Sequence, residues 1–248
     1  MDKQGTPSLF QSLRRKLFGH RVKCFIIHFN RPTFLLRLLE VLSAHPRLDV
    51  YVIDNCSRAE CRAGAEALAD RFGAKFLPMD RNHGHTVVWA QGLSAKYARD
   101  EPYLVTDCDV IPNPEVDWLA LLEKGLREHP HANKAGLELN VSRIPPAYPK
   151  RAEVIAHERT NLYRKVLDAE FQECGVDTTL ALYRAGYHDY SVWGTDSNQW
   201  AGRCLSLRTV QPQFEADHLG WHLVPPYNEE TRRYFEAIRS IAIGHWKD

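Results

Sequence analysis

The sequence predicts an α/β fold, with a mostly parallel central sheet covered by helices on both faces. Three observations carry this. Four short apolar runs occur at 22–29, 50–53, 74–78 and 103–106; the stretches between them have helical rather than alternating patterning; and each run ends in a polar cluster. Short strands separated by helical segments are the signature of βαβ units, which place the strands parallel and bury both sheet faces. At 248 residues the chain is long enough for one such domain. Its 44% hydrophobic and 25% charged content is that of an ordinary globular protein, which excludes disordered and collagen-like classes. With 32 basic against 31 acidic residues there is no electrostatic reason to expect a nucleic-acid partner. The six cysteines lack CxxC spacing and are read as reduced thiols, not as a disulfide framework or zinc site.

The N-terminal segment, 1–20, has its own character. Leu9, Leu13 and Leu17 recur at helical spacing beside Arg14, Arg15 and Lys16. Residues 8–20 thus suit a basic amphipathic helix, either lying on an anionic membrane surface or packed on the domain. Strand one (22–29) stops at Asn30-Arg31-Pro32, and 33–44 carries an apolar stripe through Phe34, Leu35, Leu38, Leu39 and Leu42. Strand two (50–53) ends at Asp54-Asn55, followed by an Ala-rich helix over 59–72. Strand three (74–78) leads into the loop 81–84 and a helix over 85–98. Strand four (103–106) opens directly into Asp107-Cys108-Asp109. Beyond Pro114 we expect a helix at 118–129, a strand at 134–141, a proline-rich loop at 142–150, a long helix at 151–171, a strand at 176–183, a loop at 185–202 and a closing helix at 231–242. The organisation is one domain over 21–248, a nucleotide-binding half (21–115) and a looser acceptor half (116–248).

Function is carried by where polar residues fall. Asn30 and Arg31, Asp54 and Asn55, Arg81 and Asn82, and Asp107 and Asp109 each follow one of the four strands. Parallel strands would deliver all of them to one sheet edge, the usual ligand crevice of open α/β sheets. Residues i and i+2 of an extended segment project to the same side, about 7 Å apart. Two carboxylates so placed repel unless a cation sits between them. Hard oxygen ligands suit Mg²⁺ or Mn²⁺, which in turn bridge a diphosphate.

As an ordered set, these motifs over roughly 22–115 resemble a GT-A glycosyltransferase of the family 2 type. The second half is similar to one bacterial subgroup of these enzymes, through the Pro-Pro-Ala-Tyr-Pro run at 145–149, the helix bearing Glu158, the segment 176–183 and the Asp-His-Leu-Gly-Trp-His run at 217–222. The resemblance implies a metal-dependent, inverting transfer of a sugar from a nucleotide-diphosphate donor to a carbohydrate or lipid-linked hydroxyl acceptor. The expected setting is bacterial surface polysaccharide or glycolipid synthesis, in the cytoplasm or peripherally on the inner membrane face. By the same resemblance Asp54 would meet the nucleotide base, and Asn30, Arg31, Asn55, Arg81 and Asn82 would line its pocket. Asp107 would face the ribose and the metal, Asp109 would ligate the metal, and His218 would be a third ligand or phosphate contact. Trp221 is expected to line the site.

One departure is plain. Family members often carry a Glu-Asp pair whose Asp is the general base, and this chain has no such dipeptide. An inverting transfer needs a carboxylate to take the acceptor's proton. Asp177 is the first candidate and Glu158 the second, with Asp196 and Asp217 behind them. Two other readings compete. A sugar-phosphate nucleotidylyltransferase would share the sheet, but wants a glycine-rich loop where this chain has Phe29-Asn30-Arg31-Pro32. A GT-A-like binding subunit without catalysis is the other.

Overall fold

The computed structural model describes residues 21–161, 164–176, 179–188 and 206–239. The basic segment 8–20, Asp177, Asp196 and most of the 185–202 loop lie outside the described residues.

Four parallel strands, β1 (Val22–His28), β2 (Leu48–Asp54), β3 (Lys75–Pro78) and β4 (Tyr103–Asp107), form half of a nine-stranded sheet. β1 lies between β2 and β4, with Ile27 opposite both Ile53 and Asp107. The connections β1→β2→β3 run one way from β1 and the return to β4 runs the other, so the strand order reverses at β1/β4. Such a switch point opens a crevice beyond the strand C-termini. The other half of the sheet is mixed. β6 (Lys134–Gly136) and β10 (Ser206–Thr209) run parallel to each other, while β9 (Ala181–Tyr183) is antiparallel to both β4 and β6. The edge is a hairpin of β7 (Arg164–Val166) and β8 (Phe171–Cys174), with β8 antiparallel to β10. The order is β3-β2-β1-β4-β9-β6-β10-β8-β7.

Helix α1 (Pro32–Leu42) starts on a proline, whose missing N–H costs nothing in the first turn. Its Leu35, Leu38, Leu39 and Leu42 are fully buried, at helical spacing. Helix α2 (Ala59–Arg71) presents small Ala65 and Ala69 to the sheet, which lets it pack closely. The other face of the sheet is aromatic: Phe25, Tyr51, Trp89, Tyr103 and Tyr183 share one buried cluster, and Tyr103 stacks on Tyr183 at 5.2 Å. Among the described residues, no helix is long and apolar enough to cross a membrane.

Four sequence expectations are corrected. The single helix at 85–98 is two short ones, α3 (Val87–Ala90) and α4 (Leu93–Tyr97), because Gly92 between them takes φ 62°. The strand at 134–141 ends at Gly136; the chain then turns so that Leu139 bridges Ala216. Residues 151–171 are not one long helix. Helix α6 (Arg151–Ala156), which follows α5 (Trp118–Glu128), widens into a π-helical turn at His157–Asn161 and gives way to the β7–β8 hairpin. That hairpin is turned by Asp168, whose Oδ1 accepts from the backbone N–H groups of Glu170 (2.7 Å) and Phe171 (2.8 Å). The strand at 176–183 begins only at Ala181, after Leu180 at φ 50°. The closing helix is α7 (Glu229–Arg239), entered through Asn228, whose Oδ1 accepts from the Thr231 N–H at 2.8 Å.

Where α5 crosses the sheet, Gly125 stands against the buried ring of Phe171, and a Cβ there would lie 2.6 Å from its Cζ. Glycine to alanine in a helix ordinarily gains up to about 1 kcal/mol, whereas overpacking a rigid ring costs about 1–3 kcal/mol. Gly125→Ala is therefore expected to destabilise the protein, read as a lower urea midpoint. Gly125→Ala combined with Phe171→Leu should lose less than the two single changes summed.

Candidate active site

The crevice begins at the last rung of the β1–β2 pairing, His28 opposite Asp54, both fully buried. His28 Nδ1 lies 3.1 Å from Asp54 Oδ1, and its Nε2 accepts the Arg31 backbone N–H at 3.3 Å. That acceptor role leaves the ring proton on Nδ1, donated to the carboxylate. Asp54 Oδ2 accepts from the Ser57 N–H (3.1 Å) and Arg62 Nε (3.0 Å). Burial alone would raise the Asp54 pKa, but the hydrogen bonds from His28 and Ser57 outweigh it and hold it below the usual carboxylate range. Burial likewise depresses His28, against the pull of Asp54, so the imidazole is neutral. Asn30 takes φ 56°, a left-handed conformation that Asn tolerates. Its Oδ1 accepts the Arg58 N–H at 2.8 Å and its own N–H donates to Ser57 Oγ at 2.9 Å. On the far side, Asn55 ties the 82–84 loop down through the His83 N–H, Asn82 Oδ1 and the Gly84 carbonyl. Asn82 in turn accepts the Gly84 N–H at 2.8 Å, and Arg81 is exposed on that loop.

Beyond β4 the chain makes a tight turn into β5 (Val110–Ile111), which pairs with β11 (Asp217–His218). This short antiparallel ladder returns the 217–222 run to Asp109. The Leu219 N–H donates to the Asp109 carbonyl at 2.7 Å, and His218 Nδ1 lies 3.7 Å from Asp109 Oδ2. The His218 ring stacks on Trp221 at 4.5 Å. Gly220 is needed here because a Cβ would stand 2.9 Å from Asp109 Oδ2. Arg31 Nη1 donates to the same Oδ2 at 2.6 Å. Asp109 is 2% exposed, and burial alone would raise its pKa; Arg31, then His218, reverse the sign and keep it below the usual range. The Asp109 field also holds the Arg31 guanidinium charged despite its burial. Asp107, two residues earlier, is half-buried at the crevice mouth.

Asp109 Oδ1 and His218 Nδ1 are buried with no hydrogen-bond partner. Among the described residues no three His, Cys, Asp or Glu side chains gather tightly enough to enclose a cation alone. Mg²⁺-type sites characteristically use one or two protein ligands and complete their shell with phosphate and water oxygens. The orphaned pair Asp109 and His218 fits that pattern.

The predicted residues thus fall into three groups. Arg31, Asp109, His218 and Trp221 converge on one point, with Asp107 beside them. Asn30, Asp54, Asn55 and Asn82 are within the same strand-end edge, but their side chains shape its loops. Glu158 stands apart: it is 5% exposed and its Oε2 accepts from Arg208 Nη1 at 2.5 Å, within a network where Arg164 binds Glu138 through two hydrogen bonds of 2.8 and 3.0 Å. That carboxylate is committed to an ion pair. Two tyrosines at the site were not singled out from the sequence. Tyr234 of α7 lays its ring 4.1 Å from the Arg31 guanidinium carbon. Tyr148 is half-buried within the field of Asp109, and burial pushes its pKa up to about 12. The aromatic residues of α7 and the tyrosine inside the 145–149 run were the available signals.

A crevice at a β1/β4 switch point, bordered by an acidic turn after β4, is where open α/β sheets bind their ligands. The sequence profile described as glycosyl transferase family 2 matches residues 24–184, and the chain belongs to that family. Comparison with curated protein sequences gives no match. Among solved structures, the fold is similar to the mannosyltransferase PcManGT from Pyrobaculum calidifontis, solved with GDP-Man and Mn²⁺. The TM-score is 0.51 at 13% identity, over 88% of this chain and 61% of that one. TarS 1-349 from S. aureus gives a TM-score of 0.48 at 15% identity, over 89% and 64%. The chain thus spans less than two thirds of either structure.

The buried imidazole sets a pH dependence. An unfolded histidine takes up a proton near pH 6.5, while folded His28 resists it, so the unfolded state binds more protons below that pH. Stability is then present above about pH 6.5 and lost as pH falls from there, with a slope of at most about 1.4 kcal/mol per pH unit for one proton. His28→Gln should be less stable at pH 7.5 and show a shallower decline between pH 7 and 5. Urea denaturation across that range checks it; an unchanged slope would contradict the assignment.

Proposed function

We propose that this protein is a metal-dependent glycosyltransferase that moves a sugar from a nucleotide-diphosphate donor to a hydroxyl acceptor with inversion. The observation that carries the reading is the convergence of Arg31, Asp109 and His218 at the β1/β4 strand ends, with an unpartnered buried polar atom on each of them. Membership of glycosyl transferase family 2 supports it, as does the fold likeness to an enzyme solved with GDP-Man and Mn²⁺.

In this reading Asp109 and His218 hold a Mn²⁺ or Mg²⁺ ion, which when bound supplies positive charge for the leaving diphosphate. Arg31, held at the end of β1 on Asp109, is a second cation within the site for the diphosphate. Asp107 faces the ribose. The nucleotide base lies over the Asn30, Asn55 and Asn82 loops, and Asp54 supports that surface from beneath, because its oxygens already accept from His28, Ser57 and Arg62. Arg81, exposed on its loop, reaches the nucleotide from outside. Trp221 backs His218 and presents an aromatic face toward the sugar. The acceptor hydroxyl gives its proton to a carboxylate of the acceptor half, for which we assign Asp177, since Glu158 is bound to Arg208. Inversion follows if attack comes from the face opposite the diphosphate. We place the acceptor among carbohydrates or lipid-linked glycans, and 8–20 as a peripheral membrane contact.

Calorimetric titration with UDP and GDP, with and without Mn²⁺, tests the core of this reading. Metal-dependent nucleotide binding is expected in the wild type. Asp109→Asn should remove the metal dependence and lower kcat by about 10²–10³-fold. Product analysis separates the chemistry: a nucleoside diphosphate is expected, whereas pyrophosphate release would mark a nucleotidylyltransferase. Nucleotide binding that ignores Mn²⁺ in both proteins would overturn the metal assignment.

A further inference from the structure

Helix α7 does more than close the chain. It crosses the end of β1 so that Tyr234 covers Arg31 at 4.1 Å and meets Phe29 edge-on at 6.5 Å. Phe34 flanks the same guanidinium at 5.4 Å. The Arg31 side chain is thereby pinned between aromatic faces and Asp109. One oxygen of Asp109 is occupied by an internal cation, and the carboxylate is almost sealed from solvent. A divalent ion at Asp109 would share the carboxylate with that cation.

The hold of α7 on the domain is light. Of its described side chains only Thr231 is buried. Its polar ties to residues 21–115 include Thr33 Oγ1 to Glu230 at 2.7 Å, Arg233 to Glu60 at 2.7 Å and Arg58 to Glu236 at 4.0 Å. All three are solvent-exposed, and exposed pairs contribute little. A cleft of about 260 Å³, between Asn30, Arg58 and Glu60 on one side and Glu230 and Arg233 on the other, separates α7 from the N-terminus of α2. Polar tethers thus surround the ring of Tyr234, and the aromatic side chains of the helix are only partly buried.

We propose that α7 is a gate whose Tyr234 positions Arg31 as a resident counter-ion on Asp109, and that cation and donor binding displace Arg31 from the carboxylate toward the diphosphate as α7 lifts. This rests on the reading that Asp109 holds the donor's metal. Tyr234 is a positioning residue, acting through Arg31. The exchange conserves charge: a buried carboxylate is never left without a cation, and the guanidinium passes from one anion to another, which avoids the penalty of an unpaired buried charge.

The test uses Tyr234→Leu and Tyr234→Phe in the full chain. Free Mn²⁺ is followed by electron paramagnetic resonance, with and without UDP, and amide exchange over 229–239 is measured alongside. Phenylalanine keeps a ring face for the guanidinium and should match the wild type. Leucine removes it, and Mn²⁺ alone should bind roughly two- to tenfold more tightly, the range that the loss of one cation–π contact spans. Exchange over 229–239 should quicken in the wild type when UDP and Mn²⁺ are added together. Equal Mn²⁺ affinity in the wild type and both variants, or unaltered exchange on ligand addition, would overturn the gate while leaving the metal assignment intact. No Mn²⁺ binding in any variant, with or without UDP, would overturn both. A loss of thermal stability in Tyr234→Leu that Tyr234→Phe shares, with no change in Mn²⁺ affinity, would mark a merely structural ring.

Discussion

A single buried contact, the imidazole of His28 against the carboxylate of Asp54, underlies the whole strand-end crevice. Parallel strands end with backbone groups and polar side chains pointing into a region that must stay open to a ligand, yet each buried polar atom needs a partner. His28 meets that demand on both sides of its ring. One nitrogen satisfies Asp54 at the end of β2, and the other receives the backbone N–H of Arg31, which fixes where α1 begins and where the Arg31 side chain departs. Ser57 and Arg62 complete the carboxylate from the next turn. Arg31, placed by this network, is what neutralises Asp109.

The nucleotide half was legible in the sequence because its signals are local. The apolar runs of β1 to β4 and the leucine stripe of α1 owe nothing to distant partners, and the structure reproduces them to within one or two residues. The acceptor half was not legible, for reasons that can be named residue by residue. The helical pattern at 151–171 is interrupted by Asp168, a side chain that turns the backbone by accepting two N–H groups, and by Arg164, whose pairing with Glu138 draws the chain into an edge strand. The first half holds one such case, Gly92, which divides a helix that composition alone would extend. These outcomes turn on the contacts or the backbone dihedral of single residues, which periodicity does not register.

The site divides the same way. Asp109 and Arg31 could be placed from their strand ends, and His218 from the family-like run that contains it. Asp54 is expected to present a carboxylate to the nucleotide, and in the fold its oxygens also accept from His28, Ser57 and Arg62. Glu158 was expected on the acceptor side and sits in a buried pairing with Arg208. Burial and prior engagement, not identity or spacing, set the part a carboxylate can play, and both are properties of the assembled chain. Tyr234 illustrates the converse: a ring on a peripheral helix becomes part of the centre only through the fold.

The β5–β11 ladder, only two residues on each side, has a consequence for how the molecule is made. The strands that form the nucleotide edge are complete once the chain has emerged past Asp109, whereas His218, Gly220, Trp221 and Tyr234 all arrive much later in synthesis. A domain generally folds as a unit, so the crevice and the ladder that borders it form together. The surroundings of Asp109 are therefore completed only by the pairing of two short strands, and a chain ending before residue 217 would lack His218, Gly220, Trp221 and Tyr234.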